Sequence, residues 1–179
     1  MDDIRPPLPA QPARFLDQVR STMRQRQLAY TTEKTYLRWI RGFIRFHGRK
    51  HPQDMDGAEV DAYLSWLATD RLVAPATQAI VLNALIYLYK QHLGREIGAL
   101  QFQRARPKRR VPQVLTHAEA LAMIAVMHDP VRLAFELLYG CGLRQAECLN
   151  LRIKDIDFGM HEIFVRSGKG GKDRRTLLP

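Results

Sequence analysis

Two short segments in the second half of the chain carry residue types that suit phosphate chemistry. In the first, two glycines precede Arg144, and Glu147 follows it by three residues. Residues three apart share a helix face, so Glu147 can hold the Arg144 guanidinium in one orientation. An oriented arginine at a helix start, where the helix dipole is positive, suits a phosphate. From spacing alone, an ordinary surface ion pair worth less than about 1 kcal/mol fits equally well or better.

The second segment, residues 167–174, reads Ser-Gly-Lys-Gly-Gly-Lys-Asp-Arg and lies between two stretches of strand-like alternation. Its glycines predict a hairpin whose tip presents Lys169 and Lys172 to a groove. The segment lacks the spacing and the closing Ser/Thr of a P-loop, and it joins two strands. We therefore do not expect it to bind a nucleoside triphosphate.

Composition points to a folded protein that binds a polyanion. The 179 residues include 28 Lys+Arg against 18 Asp+Glu, a net charge of +10, and 46% are hydrophobic, which excludes a wholly disordered basic tail. The charge favours DNA or RNA, with an anionic membrane surface a distant second. Cys141 and Cys148 are too few for a disulfide framework or a zinc site and are predicted to be core residues.

The start of the sequence and its hydropathy predict a cytoplasmic, nucleoid-associated protein. No apolar run is long enough to span a membrane, and the first residues are acidic and proline-rich where a signal peptide needs a basic and then an apolar region. Residues 1–13 hold four prolines and are predicted to be a mobile leader.

The next region is predicted to be a compact helical bundle over residues 14–97. Apolar spacing and capping signals indicate four helices, over about 14–27, 32–48, 56–68 and 77–93, and Asp56 is the predicted cap of the third. In the second helix Tyr36, Trp39, Ile40, Phe43, Ile44 and His47 are predicted to form the inner stripe. The opposite face is basic and carries Lys34, Arg38, Arg41 and Arg45.

Residues 98–113 are predicted to be an extended basic linker, because cations this dense cannot form a core element. The cations of this linker are Arg104, Arg106, Lys108, Arg109 and Arg110. The linker either contacts a phosphate backbone or is only a solvated connection. In residues 114–179 the sequence predicts three helices, from Thr116 to about Met127, from Val131 to Tyr139 and from Arg144 to Leu151, followed by a β-hairpin. Thr116 and Glu119 are predicted to form a capping box at the first of these helices.

The order of these motifs resembles the tyrosine recombinases, or phage-type integrases. In the second half the resemblance rests on Gly142-Leu143-Arg144 with Glu147, Lys154-Asp155-Ile156-Asp157 and Gly168–Arg174. The first half looks like the DNA-core-binding domain of integron integrases, on Thr32-x-x-Thr35-Tyr36 with Trp39, Phe43–Gly48, His51-Pro52 and Val60–Leu67.

The resemblance implies a fold, a reaction and site residues. The fold is mainly α, with a SAM-like four-helix DNA-core-binding domain, a basic linker and the N-terminal part of an α+β catalytic domain. In this family the two domains close around double-stranded DNA, and a tyrosine attacks the scissile phosphate without metal or nucleotide cofactor. Arg144 matches the arginine that neutralises the transition state, Glu147 its acidic support, and Lys169 the general acid. Lys172 and Arg174 would contact the DNA backbone.

The sequence also departs from the family pattern. All six tyrosines precede Arg144, whereas the family's nucleophile lies far C-terminal to it, and the His-x-x-Arg pair is not found after Arg144 either. We therefore expect an N-terminal, truncated piece of a recombinase that keeps DNA binding but does not cleave DNA alone. Its expected partners are DNA and other recombinase protomers, with no membrane or small-molecule substrate.

Two other functions fit the same residues. A stand-alone DNA-binding or interaction module could occupy recombination sites or partner full-length integrase. A helical RNA-binding protein has only the basic charge in its favour.

Overall fold

The computed structural model describes residues 5–9, 11–107, 113–166 and 172–178. The chain divides into two compact units, Met1–Arg110 and Val111–Pro179, and each is described by itself. Within the described residues, no helix is both long and apolar enough to cross a membrane.

Unit 1 is a helical bundle that matches the predicted four helices closely. They are α1 (Phe15–Gln25), α2 (Tyr30–Phe46), α3 (Gly57–Thr69) and α4 (Pro75–Tyr87). A wider π turn, Leu88–His92, extends α4, and a 3-10 turn, Pro52–Asp54, connects α2 to α3. The core between them includes Val19, Met23, Phe43, Leu64, Leu85 and Tyr89.

Local capping sets the start of α3 as the sequence predicts. The Asp56 carboxylate accepts a hydrogen bond from Ala58 N at 2.9 Å, and Glu59 Oε2 accepts one from Asp56 N at 2.8 Å. The bond from Asp56 N, together with the Lys50 ammonium, lowers the pKa of Glu59 to about 2. Helix α2 lacks such a cap, and it begins at Tyr30, two residues before the predicted start at Thr32.

The buried stripe of α2 differs from the predicted one. Leu37, Ile40 and Phe43 are fully or almost fully buried, whereas Tyr36, Trp39 and Ile44 only pack partly against the core. In the first turn of α2 the buried stripe contains a charged residue, Glu33, whose side chain is 1% exposed.

Three arginines neutralise the buried Glu33 carboxylate. Arg24 forms two hydrogen bonds to it at 3.1 Å, Arg20 Nε lies 3.4 Å away and Arg5 Nε lies 3.2 Å away. Arg5 also donates to the Leu28 carbonyl at 2.6 Å. Arg5 thus contacts the bundle, whereas the mobility of residues 1–13 stays a prediction.

Glu33→Ala should destabilise unit 1 by about 2–3 kcal/mol, because three guanidinium groups lose a buried partner, although each can still turn partly toward water. Both tryptophans, Trp39 and Trp66, lie in unit 1, so their fluorescence in a urea titration reports on this unit alone. The exposed Glu96→Ala is the control and should leave the midpoint unchanged. Equal midpoints for both variants would show that the arginine cluster contributes nothing to stability.

The first part of the predicted linker is not a solvated connector. Gln78, which is 5% exposed, donates from Nε2 to the carbonyls of Leu64 at 2.9 Å and Gln103 at 2.7 Å. Its Oε1 accepts from Ala105 N at 2.8 Å. Within residues 98–107, Gln103 and Ala105 are thus hydrogen-bonded to unit 1. Lys108, Arg109 and Arg110 lie outside the described residues.

Unit 2 contains three helices and a small sheet. The helices are α5 (His117–Ala125), α6 (Val131–Gly140) and α7 (Gln145–Leu149), and a 3-10 turn follows at Ile153–Asp155. The strands are β1 (Ile156–Asp157), β2 (Glu162–Val165) and β3 (Arg174–Leu177), antiparallel and in that order. The predicted hairpin corresponds to β2 and β3, whereas β1 was not predicted. Helix α7 is shorter than the predicted Arg144–Leu151, and Thr116 and Glu119 cap α5 reciprocally as expected.

The buried core of unit 2 is small. It comprises Cys141, Leu143, Ile163 and Val165, with Cys148 partly buried against it. Both cysteines are free thiols whose pKa is raised by burial, in agreement with the predicted core role. Neither α6 nor α7 contains a fully buried residue.

Amide hydrogen exchange should therefore separate the two units. Amides of α2 and α4 should exchange at least about tenfold more slowly than those of α6 and α7, because opening a helix that buries little apolar surface costs little free energy. Exchange of the whole chain, followed by mass spectrometry of its peptides, measures this difference. Equal protection in both units would contradict it.

A candidate phosphate-binding site

The start of α7 presents Arg144 on a tight glycine turn. Gly142 has φ +62°, in the left-handed region that favours glycine, and the chain then becomes extended at Arg144, the N-cap residue. The Arg144 side chain is 56% exposed. The turn thus leaves the guanidinium open to a ligand.

Glu147 holds this arginine as the three-residue spacing predicts. Its Oε2 accepts from Arg144 N and its Oε1 from Arg144 Nη1, both at 2.8 Å. The Glu147 side chain is only 8% exposed. Arg144 Nε and Nη2 make no hydrogen bond to any described residue and remain available to an anion.

A second arginine, Arg174 at the start of β3, also binds Glu147. Its Nη1 lies 2.8 Å from Oε1 and its Nη2 lies 2.9 Å from Oε2. The sequence pattern assigned Arg174 to the DNA backbone and gave no sign of this pairing across 27 residues. The structure therefore joins Arg144, Glu147 and Arg174 in one cluster.

The two arginines keep Glu147 ionised. Hydrogen bonds from the Arg174 side chain and from the Arg144 backbone lower the pKa of Glu147 to about 2. A lowered carboxyl pKa means that the favourable interaction is complete above the ordinary value of 4.5 and is lost as the pH falls through about 2. The charge of the cluster is therefore constant across the neutral pH range.

Lys169, the predicted general acid, lies outside the described residues. Lys172, a predicted DNA contact, is exposed just before β3. Strand β3 is bound to the turn that precedes Arg144, because Thr176 Oγ1 donates a hydrogen bond to the Cys141 carbonyl at 2.8 Å.

In unit 1 the predicted basic face of α2 is present. Lys34, Arg38, Arg41 and Arg45 are all exposed, at spacings of four, three and four residues along one helix face. Arg38 stacks over the Trp39 ring with 5.4 Å between Cζ and the ring centroid, and Lys34 lies over Tyr30 at 5.2 Å. Arg104 and Arg106, within residues 98–107, are also exposed.

Two further cations extend this face, and the sequence pattern did not indicate them. Arg14 and Arg49 are exposed, and both line a groove together with Arg41, Phe15 and Ile44. Arg49 has φ +66° just after the end of α2, so helix periodicity could not place it.

The tyrosines of unit 1 include two that are buried, Tyr63 and Tyr89, and burial raises the pKa of each to about 12. In unit 2 the hydroxyl of Tyr139 hydrogen bonds to His117 Nδ1 at 2.7 Å. Within the described ranges, no group of three or more His, Cys, Asp or Glu side chains could hold a metal ion.

Comparison with known proteins identifies the family. Residues 15–99 match the sequence model described as phage integrase, N-terminal SAM-like domain, and residues 113–179 match the phage integrase family model. An Escherichia coli protein named integrase/recombinase is 43% identical over 172 residues, which are 96% of this chain and 51% of that protein. The chain therefore belongs to the phage integrase, or tyrosine recombinase, family.

Solved structures show the same fold at low sequence identity. The Tn1549 transposon integrase in complex with transposon right end DNA has a TM-score of 0.66 at 16% identity, over 90% of this chain and 60% of that one. XerH recombinase bound to palindromic difH substrate has a TM-score of 0.55 at 19% identity, over 90% and 52%. The predicted fold class, a SAM-like helical domain followed by part of a recombinase catalytic domain, is confirmed. The chain spans about half the length of the curated relatives that it matches.

Proposed function

We propose that this chain binds double-stranded DNA and supplies the DNA-core-binding domain and the first part of the catalytic domain of a site-specific tyrosine recombinase. The observation that carries the proposal is the exposed Arg144 guanidinium, which Glu147 holds and whose Nε and Nη2 bond to none of the residues that the structure describes. A fixed guanidinium of this kind complements the paired oxygens of a phosphate.

In the reaction of such a recombinase, a tyrosine oxygen forms a bond to phosphorus while the bond to the 5′-oxygen breaks. Arg144 would neutralise the non-bridging oxygens, where negative charge accumulates in the transition state. Lys169 would donate a proton to the departing 5′-oxygen, and Glu147 would keep Arg144 in place. The six tyrosines of this sequence precede Arg144, so we assign the attacking tyrosine to none of them.

We further propose that the recombinase is of the integron-integrase type and acts with other protomers. The support is the residue pattern of unit 1, from Thr32 through Val60–Leu67. The DNA contacts of that unit would come from the basic face of α2, extended by Arg14, Arg49, Arg104 and Arg106, because all of these cations are exposed.

Binding by the chain to duplex DNA, with duplex RNA of equal length as competitor, tests this function. Arg41→Gln combined with Arg45→Gln should make the slope of log K against log salt shallower by about 2, one for each lost phosphate contact. Arg71→Gln combined with Lys90→Gln removes the same charge from exposed positions outside α2 and is the matched control. Equal competition by RNA, or an equal change in the control, would contradict the proposal.

A further inference from the structure

Arg174 pairs with both oxygens of the Glu147 carboxylate. Each Glu147 oxygen accepts one hydrogen bond from Arg144 and one from Arg174. Arg174 Nη2 additionally lies 3.4 Å from the carbonyl oxygen of Gly142, in the turn that leads to Arg144. A single guanidinium therefore contacts both the partner of Arg144 and the turn that presents it.

This arrangement makes the orientation of Glu147 depend on Arg174. A planar guanidinium that donates two parallel hydrogen bonds fixes the plane of a carboxylate. Arg144 supplies one bond from its backbone N and one from its flexible side chain, which hold the carboxylate less firmly. Water cannot easily replace these bonds, because the Glu147 side chain is 8% exposed. If Arg174 is removed, the carboxylate keeps only its two bonds to Arg144, so the acceptor of the Arg144 guanidinium is less firmly oriented.

We propose that Arg174 is a positioning residue, which acts through Glu147 to hold Arg144 in the orientation that meets a DNA phosphate. The inference rests on the proposed function for the role of Arg144, but the contacts themselves do not. It replaces the direct backbone contact predicted for Arg174, because both Nη atoms of Arg174 are engaged within the protein.

The electrostatics of the cluster agree with this role. The hydrogen bond from Arg174 is the largest cause of the lowered Glu147 pKa, and the same contact raises the pKa of Arg174. The two side chains therefore stabilise each other's charged form, and Arg174 keeps the carboxylate ionised for Arg144.

Side-chain nitrogen NMR of Arg144 in the whole chain tests the proposal without DNA. In Arg174→Ala, hydrogen exchange and rotation at the Arg144 Nη groups should become about tenfold faster than in the unmodified chain, because the acceptor is no longer fixed. Arg175→Ala is the matched control. Arg175 is the next residue of β3 and pairs with the partly exposed Glu162 at 3.0 Å, so it should leave Arg144 unchanged.

Unchanged Arg144 signals in Arg174→Ala would overturn the proposal. Cys141 is a buried thiol, so a slow reaction with a disulfide reagent in the same samples would show that unit 2 stays folded. If Arg174→Ala unfolds the unit, Arg174→Lys replaces it. Lysine keeps the charge but cannot form the two parallel bonds, so Arg144 should again become more mobile, and fixed signals would refute the role.

The affinity for duplex DNA distinguishes whether Arg174 acts through Glu147 or contacts the DNA directly. Arg174→Ala should weaken binding about three- to tenfold in the unmodified chain, and it should have no further effect once Glu147→Gln is present. A loss of equal size in both backgrounds would show a direct contact and overturn the proposal. If the unmodified chain fails to bind DNA, the proposed function fails, whereas the NMR result still decides the role of Arg174.

Discussion

Arg144→Ala should slow DNA strand cleavage by about 10²–10³-fold in a full-length recombinase, the effect of losing one preorganised donor to a transition-state oxyanion. A suitable protein joins residues 1–179 to the remaining half of the 43% identical relative. Trapping of the covalent protein–DNA adduct over time measures the rate. The 179-residue chain alone should form no adduct, and an adduct trapped with it would show that one of its own tyrosines attacks.

Arg132→Ala is the control for Arg144→Ala. Arg132 pairs with Glu136 at 2.8 Å on the exposed face of α6, so the variant removes a comparable arginine–glutamate pair outside the cluster. Its cleavage rate should stay within about twofold of the unmodified protein, since surface pairs contribute little. A comparable loss in both variants would mean that Arg144 acts through stability and not through the phosphate.

The division of roles between Arg144 and Lys169 can be tested on the same protein. A DNA substrate with sulfur in place of the bridging 5′-oxygen has a leaving group that needs no proton. It should restore cleavage by Lys169→Ala and leave Arg144→Ala slow. Equal restoration of both variants would refute the assignment of Lys169 as the general acid.

DNA affinity of the chain should fall about 10²–10⁴-fold between 50 and 200 mM salt. This follows if the basic face of α2 and its extensions neutralise roughly five to eight phosphates, which gives a slope of log K against log salt of about −4 to −7. Fluorescence anisotropy of a labelled duplex over this salt range measures it. A slope near zero would exclude binding through the phosphate backbone.

Features set by neighbouring residues could be predicted from the sequence. The Asp56 cap and the Thr116–Glu119 capping box need only local sequence patterns, and the Arg144–Glu147 pair needs only helical spacing. The exposed cations of α2 follow from the same periodicity. All these features are present in the structure at the predicted positions.

Features that depend on distant partners could not be predicted. Glu33 looks like an ordinary first-turn acid, because its burial depends on Arg5 and on two arginines of another helix. Arg174 reaches Glu147 only once the sheet has formed. Strand β1 has two residues, too few for an alternating pattern, and its pairing with β2 is entirely tertiary.

The fastening of residues 98–107 by Gln78 changes how the two units can cooperate on one DNA molecule. Gln103 and Ala105 are bound to unit 1, so fewer than the sixteen residues of the predicted linker connect the two units. When one unit binds DNA, a shorter tether confines the other to a smaller volume and raises its effective concentration near the same duplex. In the proposed DNA-binding function, the buried Gln78 would therefore affect how strongly the DNA contacts of the two units add.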